Sequence, residues 1–439
     1  MTKLRRSTLI VLLLCPAAAL AQPGQLSLTL DEALQRGQRE SLRLAEMQAR
    51  VDAATAVEAG RQAAVRPLVA ALAGYTRTNH VDEFLIAAPA QPPRVLYPDV
   101  PDNFRTRLDL QWPIYSGGRT DVLVRAARAE REAAASDLLA ARADLTLEIT
   151  RAFWALVTAR EAEDVLNQAI ENLDAHVRDM RSRLEQGLVP PNEVLSAEAQ
   201  RSRERVLALE ARNARAVADA DLKRLIGDDG PGAIVPQASP AEVPPAPEQI
   251  ETLIAEAQRL RPERQAFQQR TAASRAREVA AGASTRPQIG LAGGYDYARP
   301  NPRIFPRADA WDDSWDVSVN MSWSLWDGGR RRAEQAEAMA GTRAIEARAG
   351  EFDRQLRLEV RQRWYELDSS RAAIEAASDG VKAAVEARRV LRERFAAGVA
   401  TSTDVLDAET AVLQAELDRT RAISNARLAR ARLERAIGR

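Results

Sequence analysis

Two acids, Asp404 and Asp407, stand three residues apart where a helix begins, so both side chains can face one side of its first turn. The earlier stretch that duplicates this one holds Glu193 and Ser196 instead. Carboxylates gathered around an opening favour cations, whereas a lone first-turn acid such as Asp404 can simply complement the helix dipole. Asp407 has its own plain alternative, a solvated helix face. No other residues are paired for chemistry. His80 falls in a loop-like stretch and His176 inside a long helical pattern, where it reads as an ordinary solvated residue. The two histidines make no metal pair. The single cysteine, Cys15, excludes a thiolate zinc site and a disulfide framework. No glycine-rich phosphate motif follows a strand. The chain therefore offers no catalytic, cofactor-binding or metal-ligating set, and reads as no enzyme.

Charge and composition narrow the class. The 439 residues carry 62 Lys+Arg against 62 Asp+Glu, which excludes a nucleic-acid binder working through bulk positive charge. A hydrophobic share of 46% with only 5% aromatics, and abundant alanine, favours long, closely packed helices. Lys3, Arg5 and Arg6 precede the apolar run Leu9 to Leu14, and Ala19-Leu20-Ala21 follows, so residues 1–21 read as a signal peptide cleaved after Ala21. The run is too short to span a membrane, and Pro16 interrupts it. Leu14 stands where a lipoprotein signal would carry a small residue before Cys15. Cleavage removes the thiol and three basic residues, leaving 59 basic and 62 acidic side chains.

The mature chain is one unit written twice. Trp112 to Arg119 (WPIYSGGR) matches Trp323 to Arg330 (WSLWDGGR) at an offset of 211, and Gly187, Val194-Leu195, Glu198 and Ile226-Gly227 recur as Gly398, Val405-Leu406, Glu409 and Ile437-Gly438. Upstream the offset is 220, with Arg66-Pro67 and Gly74-Tyr75 recurring as Arg286-Pro287 and Gly294-Tyr295. The first repeat spans 22–227, a Pro-rich linker 228–247, and the second repeat 248–439.

Each repeat predicts shorter helices, a pair of strands, a long helix, a glycine turn and a last helix. The short helical regions cover about Leu30–Ala64 and Pro247–Ala283. The long helices cover about 119–185 and 330–397, and the last helices about 192–226 and 403–437. In the first long helix, Leu145, Ile149, Ala152, Leu156, Ala159, Leu166, Ile170, Leu173, Val177, Met180 and Leu184 recur in steps of three and four, with Glu163 the one polar break, a coiled-coil seam. At 1.5 Å per residue such a helix is on the order of 100 Å long. Strands are predicted at about 68–78, 103–114, 288–297 and 315–325. In the last, Trp315, Val317, Val319, Met321, Trp323 and Leu325 alternate with polar residues, enough for one tilted transmembrane strand. Four strands cannot close a membrane barrel and open edges are not tolerated in lipid, so several copies must share one barrel. The expected fold is an α+β membrane protein built from a tandem repeat.

The turn motifs Arg183 to Glu198 (RLEQGLVPPNEVLSAE) and Arg394 to Glu409 (RFAAGVATSTDVLDAE), with Tyr115 to Arg119 and Trp326 to Arg330, resemble the TolC-like outer-membrane efflux protein family. The resemblance covers essentially the whole mature chain. It implies a homotrimer with a twelve-stranded outer-membrane β-barrel, four strands per chain, continued by a long periplasmic α-helical coiled-coil barrel. It also implies an exit duct for a tripartite efflux pump or type I secretion, partnered by a periplasmic adaptor, an inner-membrane pump of RND or ABC type and outer-membrane lipid. Asp404, Asp407 and Glu193 would form the periplasmic entrance gate. Arg183, Gly187, Leu188, Arg394, Gly398 and Val399 would be adaptor-contacting tips, and Gly117, Gly118, Gly328 and Gly329 strand-to-helix turns. Ala400 leaves no arginine in the turn to latch a closed entrance. The competing reading is a structural periplasmic coiled-coil protein without a pore.

Overall fold

The structure, a computed structural model, describes residues 26–87, 89, 92–237 and 245–439. The expected signal peptide with Cys15, and residues 238–244 of the linker, lie outside the described residues. The first repeat comprises β1 (Leu26–Leu28), α1 (Leu30–Glu40), α2 (Leu42–Ala63), β2 (Leu68–Arg77), β3 (Phe84–Ile86), β4 (Arg94–Tyr97), β5 (Asp102–Tyr115), α3 (Arg119–Glu185) and α4 (Pro191–Ile226). There follow β6 (Ile234–Pro236), α5 (Ile250–Leu260), α6 (Pro262–Ala283), β7 (Gln288–Arg299), β8 (Asp312–Ser322), α7 (Arg330–Ala396) and α8 (Ser402–Ile437). The two long helices have 67 residues each and the two last helices 36 each, so the duplication extends to element length.

Four expectations need correction. The region Leu30–Ala64 is two helices, because Ser41 turns extended and its hydroxyl accepts the Leu44 N–H at 3.3 Å, starting a new helix. Likewise 247–283 breaks at Arg261, which Pro262 at the next position holds extended. The linker is not wholly irregular either. Within it, β6 pairs in parallel with β1, Ser27 opposite Val235. The last strand also sits three residues earlier than its alternation suggests, and Trp323 to Leu325 have left the sheet.

The chain divides into two compact units. One holds residues up to Glu40, Glu148–Val243 and Ala372–Leu428. Here Leu173 and Val177 of α3 pack with Ala197 of α4 and Leu406 of α8, and Ile374 of α7 packs with Ala422 and Ala426 of α8. A Cβ at Gly37 would fall 2.3 Å from Ile149 Cδ1, so the glycine lets α1 lie directly on α3.

The other unit holds Ser41–Leu147, Pro244–Arg371 and Ala429–Arg439. Its helical core joins Leu253 and Ala257 to Leu356, Val360 and Leu367 and to Leu433, Ala436 and Ile437. Its four-stranded antiparallel sheet runs β2-β5-β7-β8, leaving β2 and β8 as free edges. Among the described residues no helix is long and apolar enough to cross a membrane.

Candidate functional site

The sheet sorts its side chains by face, since alternate residues of a strand point to opposite sides. Register places Val69, Ala71, Ala73 and Tyr75 of β2 beside Leu110, Leu108, Thr106 and Phe104 of β5. These continue across Gly293, Tyr295 and Tyr297 of β7 to Trp315, Val317 and Val319 of β8. The result is one continuous apolar face, on which Val69, Leu108, Val317, Val319 and Met321 are exposed. Aromatic rings gather at both ends. At one end Tyr75 lies 5.0 Å from Phe104, and Trp311 stacks on Tyr297 at 4.9 Å. At the other, Trp112 Nε1 donates to the Val65 carbonyl at 3.1 Å, and its duplicate Trp323 donates to the Thr285 carbonyl at 3.0 Å. An apolar band between aromatic girdles is what a lipid-facing strand surface requires.

The opposite face is charged. Arg107 of β5 donates from Nε to Asp109 at 2.6 Å, crosses β7 to pair with Asp296, and reaches Asp316 of β8 at 3.1 Å. Arg105 also binds Asp296 at 2.6 Å, and Arg303 binds Asp316 at 3.0 Å. Gly294 makes the crossing possible, because a Cβ there would fall 2.1 Å from Arg107 Nη2. Beyond the aromatic end, Arg307 N–H donates to the Leu96 carbonyl of β4 at 3.2 Å and its guanidinium to Asn103 at 3.1 Å, tying the second repeat's loop to β4 and to the start of β5.

At the strand-to-helix turns, Gly117, Gly118, Gly328 and Gly329 all have positive φ, between 67° and 93°. Arg286 Nη1 donates to the Gly117 carbonyl at 3.0 Å, and the glycine's missing side chain admits the arginine stem.

The two glycine tips lie in the other unit and share one geometry. Gly187 (φ 71°) and Gly398 (φ 75°) cap their helices in left-handed backbone. Leu188 N–H donates to the Arg183 carbonyl at 2.8 Å, and Val399 N–H to the Arg394 carbonyl at 2.9 Å. Leu188 and Val399 are left 67% and 61% exposed. Asp404 accepts from both the backbone N–H and the hydroxyl of Thr401, each at 2.8 Å, while its own N–H donates to Thr401 Oγ1 at 3.2 Å. This reciprocal cap fixes the carboxylate and holds it below the usual carboxylate range. Asp407 is exposed one turn on, and Glu193 is half-buried in the first turn of α4.

His176 corrects the sequence reading. It is half-buried, its Nε2 lies 2.9 Å from Ser402 Oγ at the start of α8, and its ring is 5.8 Å from that of Phe395. Arg183 lies over the same Phe395 ring, its Cζ 4.7 Å from the centroid. Two side chains of the first repeat thus hold the tip of the second. Burial, the largest cause, pushes the His176 pKa down. Below it Glu204 of α4 is 1% exposed, bonded through Gln200 at 3.3 Å, and burial pushes its pKa up. Gln200 also reaches Thr410 of α8 at 3.1 Å. His80 pairs with Asp99 at 2.6 Å, far along the chain from these groups.

Comparison with known proteins agrees with this architecture. The outer membrane efflux protein family model matches residues 31–228 and 253–439. Protein CyaE of Bordetella pertussis is 28% identical over 317 residues, covering 70% of this chain and 64% of CyaE. A membrane protein from Pseudomonas aeruginosa superposes with a TM-score of 0.80 at 21% identity, over 93% of this chain and 92% of that one. The outer membrane protein VceC from Vibrio cholerae does so with a TM-score of 0.77 at 20% identity, over 93% and 96%. The fold is therefore shared with these two solved structures, and the match across both repeats decides the family: the chain belongs to the outer membrane efflux proteins.

Proposed function

We propose that the chain is the outer-membrane exit duct of a tripartite efflux pump or type I secretion system. It works as a homotrimer that passively conducts substrates handed over by a periplasmic adaptor and an inner-membrane pump of RND or ABC type. One observation carries the reading: a four-stranded sheet with an apolar face, aromatic ends and two free edges. Unpaired strand edges cannot face lipid, so the edges must be closed by further copies. Strand direction alternates across β2-β5-β7-β8, hence β8 of one copy meets β2 of the next antiparallel, and any number of copies closes an even barrel. Three copies give twelve strands, wide enough for a pore, where two would be filled by side chains.

Asp404 and Asp407, with Glu193 beside them in the first repeat, would ring the entrance and favour cations there. The exposed Leu188 and Val399 tips, flanked by Arg183 and Arg394, fit an adaptor surface. Passive conduction asks for no catalytic residues. A pore-free coiled-coil protein would leave the apolar sheet face exposed to water, which disfavours that alternative. Cell fractionation tests the reading. The mature protein should be in outer membranes, released only by detergent, and run as a heat-modifiable trimer. Full solubility in periplasmic extract would overturn it.

A further inference from the structure

The junction between the two repeats inside the chain has counterparts at the chain's free edges for its central strand pairs and for the glycine and arginine at its foot. Inside the chain, β5 pairs with β7, Leu108 opposite Tyr295 and Leu110 opposite Gly293. At the foot of that pair, Arg286 donates to the Gly117 carbonyl and its stem fills the space beside the glycine. The repeat offsets convert β5 into β8, β7 into β2, Gly117 into Gly328 and Arg286 into Arg66.

The duplicates keep the local geometry of the originals. Gly328 has φ 69° against 67° for Gly117. Arg66 N–H closes on the Ala63 carbonyl at 2.9 Å, as Arg286 N–H does on Ala283 at 3.1 Å. Yet no atom lies within 4 Å of the position a Cβ would take at Gly328, and Arg66 is exposed. Arg66 and Gly328 thus repeat the local backbone of the internal pair on opposite edges of one sheet.

We infer that a second copy of this chain closes the sheet in the register of the internal junction, with Arg66 of one copy hydrogen-bonded to the Gly328 carbonyl of its neighbour. This rests on the shared-barrel reading above and adds the alignment. Transferring the β5–β7 register sets Val319 opposite Tyr75 of the neighbouring copy, Met321 opposite Ala73, and Asn320 opposite Gly74. Apolar side chains then continue the apolar face, and Ser318 beside Thr76 continues the polar one. A slip of one residue would exchange the faces. A slip of two keeps the faces but moves the strands by roughly 6.6 Å, at about 3.3 Å per residue, which parts Arg66 from Gly328. The arginine is therefore what selects among the face-preserving registers.

Cysteine cross-linking tests this, since the only native cysteine, Cys15, lies in the expected signal peptide. Chains carrying Val319→Cys with Tyr75→Cys should oxidise to a covalent trimer in the outer membrane. The shifted combinations, Val319→Cys with Ala73→Cys or with Arg77→Cys, should link several-fold less. Leu108→Cys with Tyr295→Cys supplies the in-chain control. Adding Arg66→Ala should spread linking to the shifted pairs, and Arg66→Lys should partly restore the preference. A preference for a shifted pair, or linking at none, in protein that still runs as a trimer overturns the register. Absence of any trimer before oxidation would instead overturn the shared barrel itself.

Discussion

Arg392 of α7 forms an ion pair with Glu409 of α8, and Arg181 of α3 forms the same pair with Glu198 of α4, 211 residues earlier. The two braces are chemically identical but differently placed. Glu409 is 8% exposed and is approached by Arg388 as well at 3.4 Å, whereas its counterpart Glu198 is 28% exposed; Arg392 and Arg181 are both about half exposed. Breaking a buried pair strands a charge, while an exposed pair is worth little. Glu409→Gln removes a buried carboxylate that two arginines approach and should therefore cost more than Glu198→Gln, whose pair should be worth less than about 1 kcal/mol. Denaturant unfolding followed by circular dichroism would compare the two, and equal losses would deny the difference in burial.

The His176–Ser402 contact makes tip stability depend on pH. Its lowered pKa means that the folded protein binds fewer protons than the unfolded chain once pH drops below about 6.5. Stability is then fully present above that value and is lost as pH falls, by at most about 1.4 kcal/mol per pH unit for one proton. The charged groups around it are Asp179 on its own helix, Glu409 on α8, Arg392 on α7, and Arg183. Glu204 acts with the opposite sign. Its raised pKa gives stability that is present at low pH and lost as pH rises through the folded value. Melting curves from pH 7 to 5 should show a fall that His176→Gln, which keeps a donor to Ser402, abolishes. Glu204→Gln should steepen it.

The proposed entrance carboxylates, Asp404 and Asp407, can be neutralised together without removing the cap of the turn. Asn at 404 keeps an oxygen to accept the Thr401 N–H, so Asp404→Asn with Asp407→Asn should leave the turn folded. In planar bilayers the double variant should lose cation preference and block by multivalent cations. Unchanged selectivity would remove both residues from the entrance.

The charged face of the sheet depends on Gly294. Gly294→Ala places a methyl on the Arg107 guanidinium, detaches Asp316 and leaves the nearly buried Asp296 with fewer partners. Gly290→Ala meets its nearest atom, the Trp112 carbonyl, only at 3.6 Å. Trimers on unheated gels should dissociate several degrees lower for the first variant and be nearly unchanged for the second.

Periodicity and glycine punctuation made the long elements legible. A sustained three-four seam can only be a helix, and Leu145, Ile149, Leu156, Leu166, Leu173, Val177 and Met180 are indeed buried. The break before Pro262 was also readable, since a residue preceding proline avoids helix, but the good helix formers on either side masked it. The Ser41 break carried only a capping residue as its signal. Tertiary pairings were not legible at all. Ser402 lies 226 residues from His176, and nothing local to either names the other. Arg107 reads as one polar residue of an alternating strand until β7 and β8 bring Asp296 and Asp316 within its reach.

The central claim is conduction, and it is tested most directly by current through a planar lipid bilayer containing the purified trimer. The account predicts discrete, uniform conductance steps as trimers insert one at a time. A silent bilayer, with flotation showing the trimer inserted in the lipid, would contradict it.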